Sequence, residues 1–294
     1  MGAGSRLRVA IIGTGNIGTD LMFKVERSPL LELAGVAGID PSSPGMRLAR
    51  ERGHPVSDTG LAGLLDLVPH IDLAFDATSA RTHIEHARVL AERGIRSVDL
   101  TPAALGPAIV PPVNLAAYPD AAEINLVTCG AQATVPIVAA VSRLADLPYA
   151  ETVSTVASRS AGPGTRNNID EFTTATARSL ERIGGAAKAK AIIILNPADP
   201  PIQMRNTIYL DIGDRLSLDA LTSAVTAAAA DVAAYVPGYR LAAAPQLADG
   251  IATVMVEVEG AADFLPAFAG NLDIMTSAAV RVAELYAAGP EAAA

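Results

Sequence analysis
The chain is predicted to be an α/β protein, with a doubly wound parallel sheet in its first half and a mixed α+β arrangement in its second. Three observations carry that expectation. Short apolar runs alternate with helical periodicity as far as about residue 130, as buried parallel strands joined by right-handed crossovers do. A glycine-bearing hexapeptide lies between the first run and the first helix. Beyond residue 130 an alternating segment and several longer strands appear, the pattern of an open sheet on which subunits often pair.

Taken in order, Leu7 to Ile12 reads as the first strand, and from Thr19 the positions Leu21, Met22 and Val25 share one face of a helix. Leu31 to Ile39, ending in Asp40, is the second strand; Ile71 to Phe75 and Ile95 to Leu100 are further ones, with helical stretches between them. Ile124 to Val127 reads as a strand and Gln132 to Ala145 as a helix, with Pro136 near the first turn, where proline is tolerated. Then come the alternating Glu151 to Arg159, a Gly/Pro loop, and a helix carrying Phe172 and Leu180. Strands follow at Ala191 to Leu195, Gln203 to Leu210 and Ile251 to Val258, and the last helix runs from near Asn271 to about Tyr286. The alanine richness reflects helix propensity, and no internal repeat is visible.

With 294 residues the chain has the length for two domains, each with its own core. The formal net charge of −9 argues against a nucleic-acid or anionic-membrane surface, which needs clustered Lys and Arg. No apolar run reaches the roughly 18 to 20 residues of a membrane span. Even the Ala-rich stretch near 220–236 is broken by Thr222, Ser223, Thr226 and Asp231. Met1 to Arg8 lead directly into a strand without the pattern of a secretory signal, so a cytoplasmic location is expected. Cys129 is the only cysteine; it excludes an internal disulfide and cannot by itself build a thiolate metal site, and no metal is expected.

Gly13, Thr14, Gly15, Asn16, Ile17 and Gly18 have the GxGxxG spacing, follow a strand, open a helix, and precede Asp40 by 22 residues counted from Gly18. Gly13 allows the tight turn, Gly15 lets the backbone approach a pyrophosphate, and Gly18 permits close helix-to-strand packing. The helix N-terminus adds N–H donors and a favourable dipole. Asp40 would accept from the adenosine ribose hydroxyls and repel a 2′-phosphate, which selects NAD over NADP. The alternative is a tight turn of another α/β fold or a mononucleotide site. Asp76, Ala77, Thr78 and Ser79, at another strand end, are either a ligand loop or a turn with a helix cap.

Cys129 falls at a strand-to-helix turn. The helix N-terminus is worth up to about 2 kcal/mol to an anion, which would lower a thiol from about 8.5 to about 7 and make it a nucleophile. Backbone N–H groups around Gly130 and Ala131 would stabilise the oxyanion of a tetrahedral adduct. His54, His70, His83 and His86 all lie in the first half, so a Cys–His pair is not expected, and His83 and His86 read as an exposed helix face. The bland reading of Cys129 is a small buried hydrophobe.

Ser160, Ala161, Gly162, Pro163, Gly164, Thr165, Arg166, Asn167 and Asn168 form a polar loop with backbone donors and one cation. It either contacts nicotinamide, phosphate or substrate, or is an ordinary loop with Asn167 or Asn168 capping the next helix. Asn206 and Asn271 are likewise polar site groups or caps, and Asn271 looks like a cap first.

The strings Asn125 to Thr134, Ser160 to Asp170, Asn196 to Pro201, Ile12 to Asp20 and Gly270 to Thr276 resemble those of the bacterial acetaldehyde dehydrogenases (acetylating) of aromatic and steroid breakdown. The resemblance covers nearly the whole chain. It implies a fold like glyceraldehyde-3-phosphate dehydrogenase: a Rossmann NAD-binding domain made of residues 1–130 and the returning C-terminal helix 271–294, and a catalytic and dimerisation domain of residues 131–270, through which a homodimer forms. It also implies that an aldehyde (acetaldehyde or propanal), NAD and CoA give acyl-CoA and NADH, with Cys129 matching the acyl-thioester nucleophile. NAD contacts would fall on Thr14 to Ile17, Ser160 to Asn168 and Asn271, and the partner would be a 4-hydroxy-2-oxovalerate aldolase that hands over the aldehyde through a channel. Some relatives carry Asp, proposed to activate the thiol, where Asn206 stands; an amide cannot be a carboxylate base. Two other readings are a phosphorylating semialdehyde dehydrogenase and a non-catalytic NAD-binding regulator of an aldolase. The CoA site cannot be derived, although Arg159, Arg166, Lys188, Lys190 and Arg205 supply cations in the second half.

Overall fold
Strand β1 (Leu7–Ile12) is buried on both faces from Val9 onward, which is why its sequence is apolar at every position but Arg8. The computed structural model describes residues 6–162, 165, 166 and 168–289. It divides into two units, one of Met1–Pro111, Leu115–Leu126 and Thr276–Ala294, the other of Pro112–Asn114 and Val127–Met275.

In the first unit β1 is joined by β2 (Leu31–Ala37), β3 (Val56–Ser57), β4 (Leu73–Asp76), β5 (Arg96–Asp99) and β6 (Glu123–Asn125). All pairings are parallel, in the order β3-β2-β1-β4-β5-β6. The chain reverses its winding between β1 and β4, and the crevice at that switch point is where such sheets take ligands. Helices α1 (Asn16–Arg27), α2 (Pro44–Glu51), α3 (Gly60–Leu67) and α4 (Ala80–Glu92) connect the strands. Ile12, Ala37, Leu64, Val68, Ala74, Leu90 and Ile95 form one buried layer. β2 ends at Ala37, not Ile39, because Gly38 already bonds to the loop beyond β3 (Gly60 N–H to Gly38 O, 2.9 Å), and Ile39 is 87% exposed. Asp40 therefore sits in a loop.

Two-residue β3 is too short to show a period, and it was not predicted. His83 is not on an exposed face; its side chain is wholly buried. Its Nδ1 lies 3.0 Å from Asp76 Oδ2 and its Nε2 3.0 Å from Glu123 Oε1, and His86 Nδ1 approaches the same Asp76 oxygen at 2.7 Å. With a carboxylate on each nitrogen, the ring is an imidazolium that donates to both. Burial works against that charge, but the Asp76 hydrogen bond, the Asp99 charge and Glu123 outweigh it and push His83 up to about 9. Burial also opposes ionisation of Asp76, yet hydrogen bonds from His83, His86 and Thr78 hold its carboxyl well below the usual range. Asp76, Asp99 and Asn125 are register partners at the ends of β4, β5 and β6, so the network clamps these three strands.

The second unit has α5 (Pro111–Asn114) at its border, then α6 (Cys129–Ser142), β7 (Tyr149–Ala157), α7 (Ile169–Arg182), β8 (Lys188–Asn196), β9 (Met204–Asp211), α8 (Leu218–Ala233), β10 (Tyr239–Leu241), β11 (Gln246–Ala248) and β12 (Ile251–Val258). The sheet order is β10-β12-β9-β7-β8, with β11 on β12. Every pairing is antiparallel except β7 with β8, which α7 connects. Helix α6 begins at Cys129, not Gln132, and Pro136 lies inside it rather than in its first turn. One face of the sheet is buried through Ala150, Thr152, Ser154, Val156, Asn206, Ile208, Leu210, Val254 and Val256. On the other, Tyr149, Ile194, Tyr209, Ile251 and Met255 remain exposed.

The last helix, α9 (Gly270–Ala288), contributes to the first unit from Thr276 onward. Thr276 Oγ1 donates to Asp20 Oδ2 at 2.6 Å, Ser28 Oγ donates to Glu284 Oε1 at 2.7 Å, and the Arg96 guanidinium lies 4.4 Å from the Tyr286 ring. No helix among the described residues is long and apolar enough to cross a membrane.

The charge network predicts a pH signature. Asp76 stabilises the fold above its ordinary value of 3.8 and loses that contribution as pH falls. His83 contributes fully below its ordinary value of 6.5 and fades as pH rises through about 9. His83→Gln should lower stability by on the order of 3 kcal/mol near pH 6, with the deficit shrinking above pH 9. Thermal denaturation of both proteins from pH 5 to 10 measures it, and a pH-independent deficit would rule out the imidazolium.

Candidate active site
The glycine turn is built by close approach. Gly13 has φ of +107°, and a Cβ there would stand 2.7 Å from Ala77 O at the end of β4; at Gly18 it would stand 1.8 Å from Gly13 O. Both positions are closed to any side chain. At Gly15 a Cβ would meet nothing within 4 Å. Gly15 is the N-cap of α1 without a side-chain cap, and the first turn carries no acidic residue. Gly15 and Asn16 are exposed and Ile17 half-buried, so the N–H groups of this turn face open space that suits a pyrophosphate.

The loop after β2 folds over the same turn. Thr14 Oγ1 lies 3.1 Å from Ser43 Oγ, which also caps α2 through Met46 N–H at 3.3 Å. Asp40 Oδ1 accepts from the Ser42 hydroxyl at 2.6 Å and its amide at 2.8 Å, and these bonds hold the exposed carboxyl below its usual range. Ser42 and Ser43 escaped the sequence reading, although a Pro-Ser-Ser run after an acidic residue is a turn signal. Ser79 caps α4 by accepting from Thr82 N–H at 3.3 Å, and Asp76 Oδ1 accepts from Thr78 N–H at 3.0 Å. The turn-and-cap reading of residues 76–79 accounts for these contacts.

Cys129 is the first residue of α6, half-buried. Val127 turns the chain with φ of 61°, a left-handed conformation that a β-branched residue rarely adopts. Thr128 then caps the helix, its Oγ1 accepting from Ala131 N–H at 3.0 Å and pairing with Thr176 Oγ1 at 2.7 Å. Ala131 N–H is thus taken by the cap and is not an oxyanion donor. The thiol is not lowered toward 7 either. Burial pushes it up to about 12, against the opposing pull of hydrogen bonds from the Gly130 and Cys129 backbone N–H groups. Cys129 therefore rests as a neutral thiol.

Across the unit, Gly130 packs against α7 and the sheet: a Cβ there would stand 3.1 Å from Phe172 Cζ and 3.2 Å from Ser154 Oγ. Asn206 lies mid-strand in β9 rather than at a helix start. Ser160 is buried, its Oγ donating to Ala157 O at 2.9 Å. Arg166 donates to Ala161 O at 2.9 Å and to Ser158 O at 2.7 Å, so its guanidinium closes the loop on itself. Ala161 is buried, Gly162 exposed and Thr165 half-buried, while Pro163, Gly164 and Asn167 lie outside the described residues. Asn168 occupies the N-cap position of α7 without a side-chain cap bond. Asn271 is not a cap: it is the second residue of α9, buried, with Nδ2 donating to Ser160 O at 3.3 Å. It ties the loop to the last helix.

Residues 8–121 match the family described as semialdehyde dehydrogenase, NAD binding domain. Two solved aspartate semialdehyde dehydrogenases share the fold at low identity. That of Vibrio cholerae, complexed with ASA, has a TM-score of 0.66 at 14% identity over 95% of this chain and 98% of its own. That of Candida albicans, with NADP, has 0.67 at 12% over 98% and 100%. The fold is thus that of a two-domain dehydrogenase, and its first unit matches a nicotinamide-cofactor-binding domain.

Residues 129–266 match prokaryotic acetaldehyde dehydrogenase, dimerisation. The acetaldehyde dehydrogenase of Geobacillus stearothermophilus is 54% identical over 281 residues, 95% of this chain and 96% of that one. The acetaldehyde dehydrogenase of Chloroflexus aggregans is 57% identical over 96% of each. With that similarity end to end, the chain belongs to the acetaldehyde dehydrogenase family of oxidoreductases.

Gly15→Ala and Gly18→Ala should separate ligand binding from folding. Gly15→Ala is expected to keep the melting temperature and weaken dinucleotide binding at least tenfold. Gly18→Ala should cost on the order of 3 kcal/mol of stability. Calorimetric titration with NAD and thermal denaturation read the two effects; equal melting temperatures in both variants would contradict the backbone contact at Gly18.

Proposed function
We propose that the protein is a CoA-acylating aldehyde dehydrogenase that converts acetaldehyde or propanal, NAD and CoA to acyl-CoA and NADH through a thioester on Cys129. The observation that carries the reading is the position of Cys129 as the first residue of α6, with the backbone N–H groups of Cys129 and Gly130 directed at its sulfur. Those donors stabilise the negative charge that builds on the sulfur as its proton leaves. The sulfur adds to the aldehyde carbon as its proton passes to the carbonyl oxygen, and the adduct collapses to the thioester as hydride departs and that hydroxyl proton is released to solvent. NAD, when bound, supplies the hydride acceptor. The thiol of CoA then takes the acyl group, and its proton passes to Cys129 as that sulfur leaves.

For the cofactor, the unfilled space at Gly15 and the uncapped α1 fit a pyrophosphate, and Gly13, Thr14, Asn16, Ile17 and Gly18 complete the turn. The ionised Asp40 favours NAD over NADP through charge repulsion of a 2′-phosphate. Ser160 to Asn168 and Asn271 are proposed to contact the nicotinamide half. The dimer is proposed to form through the second unit, where Tyr149, Ile194, Tyr209, Ile251 and Met255 present apolar surface on one sheet face. The metabolic setting proposed is aromatic or steroid catabolism beside a 4-hydroxy-2-oxovalerate aldolase that delivers the aldehyde.

Purified protein mixed with NAD, CoA and acetaldehyde or propanal should form NADH and acyl-CoA together, and neither product when any component is omitted. Absorbance and mass spectrometry read both. Cys129→Ser should abolish the acyl-enzyme mass and lower turnover by at least about 10³. NADH that required phosphate instead of CoA would replace this reading with a phosphorylating semialdehyde dehydrogenase; NAD binding without any NADH would replace it with a regulator of an aldolase.

Met255→Arg with Tyr209→Asp should convert the dimer to monomers in sedimentation velocity. An unchanged sedimentation coefficient would place the interface elsewhere.

A further inference from the structure
The helix-covered face of the second sheet is largely apolar, with a lone threonine, Thr152, in one row and a polar pair in the next. Register places Ala252, Leu210, Ala150 and Ala189 side by side, then Val254, Ile208, Thr152 and Ala191, then Val256, Asn206, Ser154 and Ile193. Asn206 and Ser154 are cross-strand partners, each 1% exposed. Neither Asn206 Oδ1, Asn206 Nδ2 nor Ser154 Oγ hydrogen-bonds to any described residue. Each such group costs about 1 to 3 kcal/mol when left unmet, and an apolar pair in this row would avoid it. Sites that break a packing rule in this way are expected where function requires it. The pair sits under the start of α6, since the Cβ position of Gly130 is 3.2 Å from Ser154 Oγ and Gly130 follows the nucleophile in sequence.

Resting on the function proposed above, we propose that Asn206 and Ser154 form the oxygen-binding subsite of the addition step. The Asn206 amide N–H and the Ser154 hydroxyl donate to the carbonyl oxygen of a small aldehyde. As the Cys129 sulfur–carbon bond forms, the S–H bond breaks, the carbonyl π pair moves onto that oxygen, and the thiol proton ends on it. The resulting hydroxyl donates to Asn206 Oδ1, so both ends of the amide are used. Asn206 thus serves as a donor and acceptor pair, not as a base. It replaces the Ala131 N–H that the Thr128 cap has taken.

Ser154→Ala and Asn206→Leu test this by opposing effects on activity and stability. Each removes unmet polar groups, so melting temperatures should hold or rise, while kcat with acetaldehyde falls about 10- to 100-fold in Ser154→Ala and about 10²- to 10³-fold in Asn206→Leu. The KM for NAD should not change. Thr152→Val is the control: Thr152 Oγ1 is also without a partner among the described residues, but it lies one row away, and its loss should leave kcat unchanged. Wild-type kcat in both site variants, or stability and kcat falling together as they would for a structural role or a bound water, overturns the inference. If Asn206→Leu does not fold, Ser154→Ala decides alone. A wild-type protein that makes no NADH from NAD, CoA and acetaldehyde fails the function itself and is recognised before any variant is assayed.

Discussion
The placement of Cys129 rests on a one-way chain of hydroxyl groups. Thr176 Oγ1 donates to Phe172 O at 2.7 Å, so its hydrogen is committed within α7 and the Thr128 hydroxyl must donate to it. Thr128 in turn accepts from Ala131 N–H, which fixes the first turn of α6. Cys129 is the residue between the Val127 reversal and that anchored turn, and it has little freedom to move relative to α7. Gly130 lets the helix approach the sheet closely enough for the chain of bonds to close.

That anchoring explains a mismatch between position and charge. A helix N-terminus favours an anion by up to about 2 kcal/mol, but the same tight packing that seats Cys129 removes water from it, and desolvation outweighs the dipole and the two backbone N–H groups. The protein therefore holds a thiol that is firmly oriented yet neutral. The imidazolium at His83 is the opposite case. There the carboxylates of Asp76, Asp99 and Glu123 surround a buried ring, and their fields overcome the burial penalty.

What was legible in the sequence follows the same physics. β1 could be read because burial on both faces leaves the apolar run Val9 to Ile12, and the glycine hexapeptide because backbone contact excludes side chains at Gly13 and Gly18. β3, β10 and β11 have two or three residues each, too few for any period to appear. The start of α6 was set three residues late because Cys129 and Gly130 are weak helix formers and the Thr128 cap, not propensity, starts the helix. His83 was misplaced because the partner of a polar helix residue can lie far away; Glu123 is 40 positions distant. The Ser154 and Asn206 pair depends on strand register, which no local pattern encodes, although a serine at an inward position between Val153 and Val156 was a visible irregularity.

The division of the chain bears on how it is made. The first unit is completed only by Thr276 and the residues after it, which reach back to Asp20 and Ser28. The second unit, apart from Pro112–Asn114, is contiguous from Val127 to Met275. During vectorial synthesis the part of the protein that leaves the ribosome first is therefore the last to be finished, and Asp20 waits for its hydroxyl partner until nearly the whole polypeptide has emerged. A chain stopped at Met275 would carry every residue of the second unit and an unfinished first one, whose uncovered surface is open to non-native association.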